Sequence, residues 1–281
     1  MLKPLVLLPL FLTSVYFGGN QPFNIPYSPA AALFGSDGHF VCNAVILTKT
    51  NVITSTDCLM RKFDDRYALG CPQDFHVVLG VYSIEPFDVG GLFARRSSTD
   101  EAECLQETCP KSDEYGGNLM HHRVSIRSYL LKPEQNEDSL SELVILEMSD
   151  NDLLKQLAVG GNYDLTLSPS AKKFNVKVMV YGWGYIRNLG TEMSFYDIQA
   201  IEMLLLHQTI CVNLYANKFK PDQHLCLMPS TSATLCSGFA GAPIVLDGKL
   251  IGIVQGGDIA CSSKSPVVGT RLGPFKDYFK L

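Results

Sequence analysis

The side chains of this chain that could do chemistry are six histidines, nine cysteines and a glycine-punctuated loop. That loop is Cys236-Ser237-Gly238-Phe239-Ala240-Gly241-Ala242-Pro243, and it runs into the apolar strand that begins Ile244-Val245. His121 and His122 are adjacent, so on a strand they point to opposite faces and cannot share a metal. They read as loop histidines or as satisfied core histidines. His39, His76, His207 and His224 show no ligand spacing of the HExxH type, so no metal and no cofactor is expected. Ser237, three residues before Ala240, is a nucleophile on paper only, because no base is placed beside it. There is no phosphate-cradling glycine loop and no glycosylation sequon.

The elements that must position these groups are short strands. Residues 75–80 and 176–181 read as strands from their β-branched and aromatic content and partial alternation. Ile251-Gly252-Ile253-Val254 follows the turn pair Asp247-Gly248, a hairpin signal. Residues 274–279 form a short amphipathic end, and helix is otherwise scarce. With 281 residues, 46% hydrophobic and 18% charged, the chain can bury a large core, and no repeat or low-complexity tract interrupts it.

Several stretches resemble the landmarks of one family, in order. Gly38-His39-Phe40-Val41-Cys42-Asn43-Ala44-Val45-Ile46 resembles "GHFCGGSLI", and residues 51–58, ending Thr56-Asp57-Cys58, resemble "WVLTAAHC". Residues 141–148, opening Ser141-Glu142-Leu143, resemble "NDIALLKL", and Tyr181-Gly182-Trp183-Gly184 matches a GWG strand. The loop at 236–243 resembles C-x-G-D-S-G-G-P, and Ser265-Pro266-Val267-Val268-Gly269-Thr270-Arg271 resembles "KPGVYTR". The chain is thereby identified as a member of the chymotrypsin/trypsin-like serine protease family over roughly residues 25 to 281. The resemblance implies an all-β fold of two six-stranded antiparallel Greek-key barrels with a short C-terminal helix. The first barrel is expected at about 27–150, the second at about 151–272, and the helix at 273–281.

The same resemblance places Asp57 at the general-base histidine, Glu142 at the orienting aspartate and Ala240 at the reactive serine. The family reaction needs a hydroxyl activated by a neutral imidazole that a carboxylate orients. Two carboxylates and a methyl do not meet that need, so no catalytic residues are expected. In active relatives a freed N-terminal ammonium pairs with the aspartate before the nucleophile. Here that position is Phe239, and an inserted ammonium would be left unpaired in a dry site. The segment matching the cleaved terminus reads Phe23-Asn24-Ile25-Pro26-Tyr27, with no arginine before Arg61. Thr234 stands at the pocket floor, Val267 replaces a glycine that leaves room for a substrate side chain, and Gln255-Gly256-Gly257 replaces "SWG". The specificity pocket is therefore expected to be closed.

Residues 1–19 carry Lys3 and the apolar run 5–12, too short to span a bilayer, and read as a secretory signal, with residues 20–281 as the mature domain. The cysteines suit an oxidising compartment. By family spacing the pairs are Cys42-Cys58, Cys211-Cys226 and Cys236-Cys261, and a closed loop of about 15 residues is worth roughly 3 kcal/mol in the chain-entropy model. Cys71, Cys104 and Cys109 remain. One pair among them is expected, Cys71 with Cys104 or Cys109, with the third thiol either inert or bonded to another chain. The insert at about 83–115, with Arg95-Arg96 and the acidic run 100–109, is a candidate interaction loop or a solvated one. A net charge of −5 disfavours nucleic acid, heparin and anionic membranes as partners. The resemblance thus implies a secreted, non-catalytic homologue that binds extracellular proteins as a cofactor, decoy or regulator of a protease cascade in immunity or reproduction. The alternative is a residual endopeptidase, or a hydrolase using Asp57 and Glu142 as a carboxylate pair.

Overall fold

The computed structural model describes residues 29–63, 66–81, 83–84, 123–131, 142–157, 174–188, 191–192, 196–230, 234–236, 238–255 and 265–278. Six strands close a first barrel: β1 (Ala30–Gly35), β2 (Phe40–Ile46), β3 (Asn51–Ser55), β6 (Phe75–Val78), β7 (Arg123–Leu131) and β8 (Leu143–Met148). Between β3 and β6 a separate hairpin projects, β4 (Met60–Phe63) with β5 (Arg66–Leu69). The second barrel closes from β9 (Val176–Gly182), β12 (Gln199–Leu205), β13 (His224–Pro229), β15 (Pro243–Leu246), β16 (Lys249–Val254) and β17 (Val267–Arg271). Three short strands, β10 (Ile186–Asn188), β11 (Thr191–Glu192) and β14 (Thr234–Leu235), form a small sheet beside it. Every pairing is antiparallel, as expected for the two barrels.

A period of two along each strand decides what is core and what is seam. On β2 and β8, Cys42, Ala44, Ile46, Val144, Leu146 and Met148 turn into the first barrel. Their neighbours Val45, Leu143 and Ile145 turn the other way and pack against Leu250, Ile253, Leu272 and Phe275 of the second half. On β1, Ala31 and Leu33 face the barrel interior, whereas Ala30, Ala32 and Phe34 pack with Trp183 and Ile198. Strands buried on both faces read as near-continuous apolar runs, as Ala30-Ala31-Ala32-Leu33-Phe34 does.

The turn at Asp247-Gly248 joins β15 to β16 with both residues at positive φ (49° and 76°), the type I′ geometry that the pair favours. The C-terminal helix is a 3-10 turn over Gly273–Tyr278 that buries Phe275 against the seam. Two α-helices were not foreseen in the sequence: α1 (Asp152–Leu157) and α2 (Gln208–Tyr215). The second is capped by a side chain outside the usual capping set, His207 Nδ1 accepting from Thr209 N–H at 3.3 Å, and is bonded to β13 through Cys211–Cys226. Cys42–Cys58 also forms as expected, tying β2 to the turn after β3. Cys71 and Cys236 are disulfide-bonded too, and their partners lie outside the described residues, as do His121, His122 and the insert from 85 onward.

His76 on β6 is buried, stacks on Phe34 at 5.6 Å, and leaves Nδ1 without a partner. Burial, aided by the nearby Arg123 charge, lowers its pKa to about 3. An unfolded histidine titrates near 6.5. Below pH 6.5 the unfolded chain therefore binds a proton that the fold refuses, so stability present above 6.5 is lost progressively down to about pH 3. Between pH 7 and 4 this amounts to a loss on the order of 3 kcal/mol. Urea unfolding at both pH values is expected to show that drop in the wild type and a smaller one in His76→Leu; equal drops would contradict it.

Candidate functional site

Asp57, Glu142 and Ala240 come to the seam between the barrels through a chain of backbone contacts. Asp57 lies in a 3-10 turn, Thr56–Leu59, directly after β3, and the N–H of Thr56 donates to the carbonyl of Glu142 at 3.0 Å. Ala240 lies between β14 and β15, and its carbonyl accepts from Asn43 N–H at 2.8 Å. Asn43 in turn passes its own carbonyl to the Thr54 hydroxyl at 2.7 Å, so all three positions hang on neighbouring turns of the same framework. The half-buried Ala240 methyl packs against the first-barrel core. Asp57 is exposed, and its side chain makes no hydrogen bond or ion pair among the described residues.

Glu142 has a different set of partners from those its position implied. Its Oε2 meets Nε2 of the buried His224 at 2.7 Å and accepts from the Thr270 hydroxyl at 3.3 Å, while Oε1 takes the Lys220 ammonium at 3.2 Å. His224 opens β13 and Thr270 lies on β17, so the second barrel supplies the imidazole. Burial pushes the Glu142 carboxyl up. The His224 hydrogen bond and the Lys220 ammonium outweigh it and hold the group below the ordinary carboxylate range.

The other imidazole nitrogen is occupied as well. Nδ1 of His224 accepts the backbone N–H of Lys220 at 3.0 Å, which places the ring proton on Nε2, directed at the carboxylate. Arg271, itself buried, donates from Nε to the His224 carbonyl at 2.9 Å and fixes the start of β13. A general base needs one free nitrogen facing a nucleophile. His224 has none, because both are spent on Glu142 and the backbone. What this arrangement does chemically is to join the two barrels by a charge-assisted hydrogen bond.

Phe239 is fully buried in the apolar core of the second barrel, in one cluster with Val267, Val178, Val180 and Ile244. The phenyl group fills the place where the family pattern puts a carboxylate. Val267 opens β17 with its side chain wholly inside that core. Thr234 contributes its backbone to the pairing of β14 with β10, opposite Arg187. Gln255, at the counterpart of the substrate-pairing strand, donates its own N–H to the Val268 carbonyl at 3.0 Å, and its amide approaches His224 Nε2 at 3.4 Å. Ser237 lies outside the described residues. Neither His224 nor Lys220 was singled out for this site in the sequence: they meet Glu142 at sequence separations of 82 and 78, and nothing in the local pattern marks them.

A family model described as Trypsin matches residues 111–278, more than half of the chain. Kallikrein 1-related peptidase b11 of Mus musculus is 26% identical over 251 residues, covering 86% of this chain and 79% of the relative. Trypsin of Phaedon cochleariae is 23% identical over 270 residues, covering 92% of this chain and 85% of the relative. Among solved structures, neuropsin, a serine protease of mouse brain, superposes with a TM-score of 0.62 at 19% identity over 90% of this chain and 93% of its own. The chain belongs to the trypsin family.

Removing Glu142 takes from the buried His224 Nε2–H its carboxylate acceptor, and removing His224 takes from the partly buried Glu142 the shortest of its three hydrogen bonds. Glu142→Ala and His224→Leu are each expected to lower the unfolding free energy by about 2 kcal/mol, and the double variant by at least ~1 kcal/mol less than the sum. Denaturant titration of the four proteins checks this, and strictly additive losses would mean that the bond contributes nothing.

Proposed function

We propose that this chain is a secreted, catalytically silent member of the trypsin family that acts by binding other extracellular proteins, as a cofactor, decoy or regulator of a protease cascade. The observation that carries the reading is the state of the three triad positions. Ala240 offers a methyl where an attacking oxygen is needed, and Glu142 spends both oxygens on His224, Lys220 and Thr270. Covalent acyl transfer without a nucleophile has no first step. Phe239 supports the reading from a second side, since a buried phenyl cannot pair with an inserted ammonium. Secretion is supported by the leader-like start and by cysteines that are all disulfide-bonded among the described residues, a state that persists in oxidising compartments.

The carboxylate-pair hydrolase draws no support from the geometry. Such a mechanism needs two carboxyls sharing a proton, one of them raised, whereas Glu142 is held low and pairs with an imidazole rather than with Asp57. A fluorophosphonate probe and a broad peptide library provide the test. The wild type is expected to be unlabelled and to cleave nothing. The double variant Asp57→His, Ala240→Ser is expected to stay unlabelled as well, because a new imidazole at position 57 finds no free carboxylate to orient it. Labelling of the folded wild type would overturn the proposal.

A further inference from the structure

In the family pattern, the loop before β15 is ordered by an ion pair between the aspartate preceding the nucleophile and the freed chain terminus. This chain has Phe239 at that position, yet the loop is tied down at every peptide from Gly238 to Ala242. Gly238 and Ala240 direct their carbonyls to one residue, Asn43: its Nδ2 donates to Gly238 O and its backbone N–H to Ala240 O, both at 2.8 Å. Gly241 N–H donates to Val254 O at 2.8 Å, and Ala242 N–H to Phe239 O at 3.0 Å.

Asn43 also grips the GWG strand. Its Nδ2 donates to the Trp183 carbonyl at 2.9 Å, and its Oδ1 accepts the Trp183 N–H at 2.8 Å. The side chain is wholly buried, with both amide hydrogens and an oxygen lone pair engaged. The fit admits no alternative at Gly241. That residue has φ +79°, and a Cβ there would lie 1.9 Å from the Asn43 carbonyl oxygen and 2.6 Å from Thr54 Oγ1. A residue of β2, in the first barrel, thus clamps two segments of the second.

From this geometry we infer that Asn43 is the positioning residue that orders the loop 238–242, in place of a processing-dependent ion pair. The loop is set when the barrels close, and no cleavage of the chain is needed to form it. The inference is independent of whether the protein binds a partner, and it concerns when this face of the molecule is ready rather than what it meets.

Amide hydrogen exchange with mass spectrometry on the full secreted chain tests it, with and without an uncleavable extension fused ahead of the mature terminus. Protection at Gly241 and Ala242 is expected to be the same in both forms. In Asn43→Gly those two amides are expected to exchange about tenfold faster or more, while β9 and β16 keep their protection, the pattern of a local opening rather than a global one. If Asn43→Gly does not fold, Asn43→Ser removes the carboxamide while keeping a side chain, and the same change is expected. Loop protection that depends on a free terminus, or that survives loss of the carboxamide, would overturn the inference.

Discussion

Much of the seam between the two barrels is shut off from water, so a polar group buried there must find its partner within the protein. An unpaired amide or carboxylate in such a place costs more than most apolar contacts return. Two side chains carry this constraint. Asn43 meets it with neutral hydrogen bonds to two loops. Glu142 meets it with a ring nitrogen, an ammonium and a hydroxyl, all from the opposite barrel or its flank. The apolar side chains around them, Val45, Ile53, Leu143 and Ile145 on one side and Leu250, Ile253 and Leu272 on the other, supply adhesion without direction. The polar pairs supply register, because a hydrogen bond lost by sliding one barrel against the other is paid for in full.

The barrels were legible in the sequence because their signals are local. A turn pair such as Asp247-Gly248, the alternation along residues 176–181, and cysteines spaced to close short loops each depend on a few neighbouring residues. The short helix α2 escaped notice because its cap is His207 and its one buried apolar anchor is a disulfide cysteine, so it lacks both a standard start signal and an apolar stripe. The wiring of the site was hidden for a different reason. Asn43 and Gly238 are 195 positions apart, and Glu142 and His224 are 82 apart. Contacts at such separations are set by how two closed sheets dock, which no window of sequence encodes. One signal was open to reading: Asn43 follows Cys42 where the family strand has a glycine. A polar side chain in a space normally left for backbone must bond to what surrounds it.

The departures from the family pattern fall into a physical order. Serine to alanine at 240 removes one hydroxyl, and the methyl that remains joins the first-barrel core with no polar group left over. Phenylalanine at 239 removes a charge whose stability would have depended on a second charge arriving from the chain terminus, and an uncompensated carboxylate inside that cluster would cost several kcal/mol. Glu142 is ionisable and partly buried, and its partners all come from the opposite barrel or its flank. By contrast, several positions that serve the backbone match the family pattern. Gly241 leaves no room for a Cβ, Gly182 faces Asn43 Oδ1 at 2.5 Å from where a Cβ would be, and Cys42–Cys58 holds its turn. Of the positions matching the family's reactive groups, 240 and 239 are packed against apolar neighbours and 142 is bonded across the barrels, while Asp57 is exposed and carries no side-chain bond among the described residues.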